Sequence, residues 1–295
     1  MTFQEVETIR QAYYQKFKQA CTVSGIVVLI TIALSIIAGP IIGMFLLIIV
    51  VGVCAIFTSF ATSKERKAYR KAYKAYFVEQ NLKKVFTDVD YAHEMGFTPG
   101  IVAESEMVRL ADKFYSNDLT RAKYKNIKFA QADVAIIRQY TDDQGNVHEY
   151  PVFKGRYMIF EFPKKFDFRL EVVGRKFKLY RVPGKDRVKN RKMTRLETES
   201  TTFNHNFKVF GQDGFESFYL LAPDVIAKIE DIAGRYNYKF LLGFYDNKLI
   251  VALDDGKDSF EPAKFTKPID EQAELKKVST EIKVITDFVD VISSH

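Results

Sequence analysis

The chain contains no tryptophan, two cysteines, four histidines and eight prolines in 295 residues. Two cysteines, Cys21 and Cys54, cannot build a disulfide scaffold, and neither stands at a metal-ligand spacing. The histidines, His93, His148, His205 and His295, are nowhere three or four residues from one another or from a cysteine. A His/Cys metal cluster therefore has no support. The phosphate loop GxxxxGK[ST], the dinucleotide turn GxGxxG, HExxH, CxxC and GxSxG are all missing, so the common nucleotide, protease, redox and hydrolase chemistries have no motif to stand on. No Pro/Gly-rich linker, internal repeat or N-x-S/T sequon occurs. With 47% hydrophobic and 27% charged residues, a disordered or collagen-like chain is also excluded.

What is present is uneven. Cys21 to Phe57 contains no charged residue, and Thr58 to Phe60 extend the run. A bilayer core of ~30 Å takes about 20 helical residues, and this run is roughly twice that. Gly39-Pro40 stands near its middle, a helix stop followed by a helix start. The pattern predicts two spans, about 21–38 and 41–60, joined by a tight turn. A cleaved leader is not the expectation, given the run's length, its late start and the lack of a convincing small-residue cleavage site. A re-entrant hairpin is the rival geometry. Arg10, Lys16 and Lys18 precede the run, and Lys64, Arg66, Lys67, Arg70, Lys71 and Lys74 follow it. By the positive-inside rule both flanks, and both termini, face the cytoplasm.

Apolar positions continue at helical spacing on either side. Phe3, Val6, Arg10, Tyr13, Phe17 and Ala20 form one stripe. Ala68, Ala72 and Ala75, beside Tyr69, Tyr73 and Tyr76, form another that runs on through Val78, Leu82, Val85 and Val89. This coiled-coil-like spacing predicts helix 2–20 packed along helix 61–92. The expected organisation is a cytosolic helix (1–20), a two-span hairpin (21–60), a helical stalk (61–98) and a cytosolic α+β domain (101–295).

In the body, Met107, Leu110 and Phe114 predict a short amphipathic helix over 101–115. Strands are expected near 125–141, 146–162, 166–173, 175–182, 194–200, 206–211, 237–245 and 248–254. DDQGN turns the first pair and Phe244 to Asn247 the last. Helices are expected within 214–236, opened in its second part by Pro223, and over 268–293. The fold class is α+β, with a mixed or antiparallel sheet and flanking helices.

Charge is local. Arg175 to Arg195 carries +9 and Lys64 to Lys74 +5, against +7 for the whole chain. The first block supplies candidate contacts for an anionic ligand or lipid headgroup: Arg175, Lys176, Lys178, Arg181, Lys185, Arg187, Lys189, Arg191, Lys192 and Arg195. The second is juxtamembrane, where each base near an anionic surface is worth ~1 kcal/mol. Nucleic acid is disfavoured, because only Phe177 and Tyr180 interleave the bases. The acidic run Leu253 to Glu261 (LDDGKDSFE) is reminiscent of a calcium loop. It lacks the D-x-[DN]-x-[DN]-G order, and a surface turn is the expectation.

Tyr115 to Asp118, VFKGRYMIFEF (152–162), LETESTTFNHNFKVFGQD (196–213), FYLLAP (218–223) and KFLLGFYDNKLIVAL (239–253) together resemble the bacterial membrane family known as domain of unknown function 3137. One departure is that Arg121-Ala122 stands where a glycine is expected. The resemblance implies a bacterial inner-membrane protein and carries no catalytic residues. The resulting expectation is a non-enzymatic, membrane-anchored interaction or scaffold module without cofactor. Its partners would be the bilayer, anionic headgroups, and a membrane protein or a second copy. An anionic-lipid or acidic-partner binding domain using 175–195, and an enzyme of unrecognised type, are the alternatives.

Overall fold

A computed structural model of the chain describes residues 1–178, 193–212 and 220–292. The described residues form two compact units. One comprises Met1–Asn81 with Pro262–Val278, the other Leu82–Glu261 with the chain from Ser279 onward.

In the first unit, α1 (Phe3–Ala38) starts at a capping box, Thr2 accepting from the Glu5 N–H while Glu5 accepts from that of Thr2. Gly39, at φ +86, ends α1, and Pro40 is the first residue of α2 (Pro40–Ala61). Both helices are long and apolar enough to cross a membrane. Their shared seam is small and polar. Ser24 Oγ lies 3.2 Å from Thr58 Oγ1, and Ser35 Oγ donates to Gly43 O at 3.3 Å. A Cβ on Gly43 would stand 2.7 Å from that of Ser35. Such residues let helix backbones approach closely where lipid gives no hydrophobic drive.

Past the apolar run, α3 (Ser63–Tyr73) leads through a π-helical stretch (Lys74–Glu79) into α4 (Gln80–Val85). As the spacing predicted, the start of α1 packs along it: Val6, Tyr13, Tyr69, Ala72, Tyr73 and Phe77 are buried. A third partner, distant in sequence, completes the cluster. Tyr69 Oη donates to Ala263 O at 2.9 Å, Tyr13 stacks on Phe265 at 4.0 Å, and the Tyr73 and Tyr76 hydroxyls donate to Glu274 and Glu271. Arg10 is buried too. It donates to Glu7 at 2.9 and 2.7 Å and to Phe265 O at 2.5 Å. Its charge is thus neutralised internally rather than offered to a membrane surface.

The helix expected to reach residue 92 stops at Val85. Thr87–Ala92 is strand β1, since Thr-Asp-Val-Asp-Tyr alternates and pairs antiparallel with β2 (Lys113–Tyr124). Among its described residues, the second unit contains a seven-stranded antiparallel sheet. Its strands continue as β3 (Ile127–Thr141), β4 (Val147–Gly174), β5 (Thr194–Leu196), β6 (Phe207–Gly211) and β7 (Phe240–Leu253). The long β4 is the spine, paired by β3, β6 and β7. Apolar residues from α7 (Pro223–Arg235) and α8 (Glu271–Ile292), such as Ile229, Ile232, Ile285 and Phe288, are buried, with Phe288 edge-on to Phe240 at 5.5 Å.

Three further expectations change. The helix over 101–115 is only α5 (Pro99–Glu104). Glu106 at φ +55 breaks it, and Met107 drops into the core over Gly243. Phe244 to Asn247 is no hairpin turn. Asp246, at φ +52, marks a bulge inside one continuous strand whose two halves both pair β4. Arg175 to Lys178 is turn and coil, and the rest of the expected 175–182 strand lies outside the described residues. The DDQGN turn stands as expected, with Gly145 at φ +84 and Asp142 N–H donating to Asn146 O. The β2–β3 turn was hidden because Lys125 and Asn126, rather than glycine, take its positive φ values.

Candidate functional site

Most strand positions facing the core are apolar, so the polar exceptions stand out. The antiparallel register sets Asn117 of β2 opposite Asp133 of β3, and Asp133 opposite Arg156 of β4. Asp133 is 3% and Arg156 2% exposed. Next to this row the β2–β3 register slips between Asn117 and Thr120. Asp118 sits at that slip with φ +57, a conformation Asp tolerates better than most residues. The bulge turns its carboxylate inward, where it is fully buried. Tyr91 Oη donates to Asp118 Oδ1, and Asn117 Nδ2 donates to Asp118 Oδ2 at 2.7 Å and to Asp258 Oδ1 at 3.2 Å.

Asp258 and Glu261 come from the segment after β7. Gly155 anchors its start: a Cβ there would lie 2.0 Å from Leu253 O, while Gly256 N–H donates to Lys154 O. At its end Phe260, at φ +57, is buried beneath Arg156 and edge-on to Tyr91, with its N–H on Glu281. The expectation of a plain surface turn is therefore corrected, because Ser259 and Phe260 are interior residues. One oxygen from each of Asp118, Asp258 and Glu261 lies within 4.8 Å of the others.

Electrostatics here is severe. Asp133 Oδ2 accepts from the Ser259 N–H, but burial, and then repulsion from Asp118 and Asp258, drive its pKa well up despite the opposing field of Arg156. Burial and the Asp118 charge likewise keep Tyr91 protonated as a donor. Among the described residues, Asp133 Oδ1, Ser259 Oγ and Arg156 Nε are buried without a hydrogen-bond partner. Such orphaned polar atoms cost about 1–3 kcal/mol each.

The basic residues fall elsewhere. Lys64, Arg66, Lys67, Arg70 and Lys71 are exposed along α3, whereas Lys74 is 1% exposed inside the π-helical stretch. Arg175, Lys176, Lys178 and Arg195 are exposed. Arg175 stacks on Tyr238 at 4.6 Å, Lys176 reaches Asn237 at 2.5 Å, and Arg195 lies 4.0 Å from Glu197. Arg181, Lys185, Arg187, Lys189, Arg191 and Lys192 lie outside the described residues. The acidic cluster forms no contiguous motif, because its residues come from two segments about 140 positions apart. Its legible traces were the Tyr115–Asp118 segment and the Leu253–Glu261 run.

Residues 151–293 match the family model described as protein of unknown function (DUF3137). The matched residues run from within β4 through α8, a little under half of the chain. No curated protein matches. Among solved structures, the crystal structure of the mycobacterial trehalose monomycolate transport factor A, TtfA, is similar at TM-score 0.34 and 7% identity, over 75% of this chain and 93% of that one. So remote a likeness carries no argument about function.

Proposed function

We propose that this protein is a membrane-anchored, non-catalytic binding module. With two spans both termini lie on one side, the cytoplasm in this reading, and the partner is a membrane protein or a second copy. The observation that carries the reading is the α1–α2 hairpin. Twenty-one of its large apolar side chains between Val23 and Phe60 are exposed to between 40% (Leu46) and 85% (Ile37). Each would lose about 1.5–3 kcal/mol in water, so some twenty of them fit a bilayer and not an aqueous surface. The Lys and Arg residues that flank the apolar run on both sides favour this orientation. Single cysteines at Glu5 and Gln144, in a Cys21→Ser, Cys54→Ser background, test it. An impermeant maleimide should label neither in intact cells and both after permeabilisation; labelling of either from outside refutes the topology. For the partner, cross-linking in native membranes should give one defined complex, and a monomer throughout would refute the binding role.

Anionic headgroups are a second reading, favoured by the exposed Lys64, Arg66, Lys67, Arg70 and Lys71 directly after α2. The full chain in nanodiscs should show slower hydrogen exchange over 63–73 with anionic than with zwitterionic lipid, a difference that fades above ~0.15 M salt. Equal exchange in both would remove it.

A further inference from the structure

We infer that a cleft at Arg156, within the second unit, binds a phosphate group, whether that of a small soluble molecule or that of a lipid headgroup. The cleft holds about 570 Å3, inside the ~300–1,000 Å3 usual for ligand sites. Arg156 comes from β4, Arg235 and Lys239 from the end of α7 and the turn after it, Lys257 from the loop after β7, and Glu281 and Asp287 from α8. Asn237 and Tyr238, at φ +54 and +56, turn the chain from α7 into β7. Lys239 O then takes the Asp254 N–H at 2.8 Å, which sets Lys239 beside the start of the loop that bears Lys257.

The state of Arg156 points to a ligand. It is 2% exposed, and Phe260 covers its face at 5.5 Å. Its Nη1 donates to Glu281 O, and its Nε is enclosed without a partner. Among the described residues Nη2 has no hydrogen bond, yet it is not enclosed. It is therefore the edge that Arg156 shows to the cleft it lines. No carboxylate among the described residues forms an ion pair with this guanidinium, and Asp133 acts on it only through space. A guanidinium so withdrawn from water is costly unless its charge is paired and its donors are satisfied.

The remaining charges of the lining divide into engaged and available ones. Asp287 accepts from Arg235 and Lys283, each at 2.7 Å, and from the Tyr236 hydroxyl at 3.1 Å. Asp255 accepts from the Lys257 N–H at 3.1 Å, and Glu281 from the Phe260 N–H at 2.7 Å. Among the described residues the Lys257 ammonium forms no ion pair, and Lys239 meets Asp254 only through space. In all, five bases face three acids. An excess of two positive charges suits a phosphate group, which carries about −1.5 to −2 at pH 7, better than a single carboxylate. A planar arginine edge with lysine point charges is also the usual company of phosphate oxygens.

The competing account is that Arg156 is only a core residue whose charge Asp133 answers. The full chain in detergent would be titrated with inorganic phosphate, and with chloride at matched ionic strength, while hydrogen exchange is followed over residues 235–239, 254–258 and 280–287. The same peptides would be read in nanodiscs of phosphatidylcholine with and without phosphatidic acid. Saturable slowing by millimolar phosphate, absent with chloride, is the result expected for a soluble ligand; slowing confined to phosphatidic acid assigns the phosphate to a lipid headgroup. Lys239→Gln with Lys257→Gln should weaken the parent's response by about tenfold or more, since a hydrogen bond to a charged group is worth at least one decade. Lys239 is half-buried and Lys257 exposed, so this variant is expected to fold. Lys264→Gln with Lys267→Gln, the same charge change on exposed residues outside the cleft, should leave the response intact. No slowing of the parent by either phosphate or phosphatidic acid overturns the proposal whether or not the variant folds. So does a parent-like response in the folded cleft variant.

Discussion

Arg10 sits where three chain segments meet, and its removal gives the sharpest test of the first unit. The guanidinium makes two hydrogen bonds to Glu7 and one to Phe265 O, and Glu7 in turn accepts from the Ile269 N–H at 3.3 Å. The side chains of Arg10 and Glu7 are 5% and 12% exposed. Breaking such a pair by removing one partner costs about 3–5 kcal/mol, because the survivor is left buried and charged. Glu7 keeps an outlet to water and one N–H, so about 3 kcal/mol is expected for Arg10→Ala. At roughly 4–8 °C per kcal/mol for a unit of about 100 residues, the first unit should melt about 12–24 °C lower. With no tryptophan in the chain, circular dichroism follows unfolding, and protease cutting near residues 262–270 reports the local release. Arg10→Met with Glu7→Gln should recover most of the loss, since neither charge then remains. The pH dependence has a definite sign. Arg10 hydrogen bonds hold Glu7 below its ordinary 4.5 against the opposing effect of burial. A carboxylate with a depressed folded pKa adds stability above its unfolded value and loses it on acidification. The gap between parent and Glu7→Gln should therefore be full near neutrality and shrink as the pH falls below 4.5. An Arg10→Ala chain within about 0.5 kcal/mol of the parent, or a gap that ignores pH, would refute the reasoning.

Ala72→Phe should cost about 1–3 kcal/mol by overpacking, whereas Ala68→Phe should be near neutral, because Ala72 is buried and Ala68 exposed; equal melting temperatures would deny the packing. Cysteines replacing Ser24 and Thr58, in a chain lacking Cys21 and Cys54, should oxidise to a bond across the hairpin. Adding Gly43→Leu should suppress it by forcing the helices apart at Ser35, and gel mobility under copper phenanthroline reads both. Gly155→Ala should destabilise the second unit by about 2 kcal/mol or more, since its Cβ meets a backbone carbonyl that cannot turn aside; thermal unfolding indistinguishable from the parent would count against the assigned register.

Local features of the fold are legible in the sequence, and nonlocal ones are not. The hairpin was plain because charge is absent for 37 residues and Gly-Pro interrupts the run. The tyrosines of α3 were recognised as packing residues, but nothing in their spacing told that Phe265, Glu271 and Glu274 would cover them. Helical spacing at Val85 and Val89 disguised β1, whose strand state depends on β2 being beside it. Asp246 and Glu106 gave opposite errors: a positive φ imitated a turn inside a strand, and another broke a helix whose apolar period was sound. The acidic cluster was legible only as fragments. Asp118 acquires its role from a bulge, and a register slip leaves no mark on composition.

Because the first unit is closed by Pro262–Val278, its completion is tied to the schedule of synthesis. The hairpin and α3 leave the ribosome early. The intervening stretch of roughly 180 residues needs about 10–40 s at ordinary elongation rates. During that interval Tyr13, Tyr69 and Tyr73 lack their cover, and Arg10 lacks its carbonyl. A nascent chain halted before residue 262 is thus inserted but unsealed, with an aromatic face open beside the bilayer. Membrane proteases and chaperones could read that open face as a record of incomplete translation.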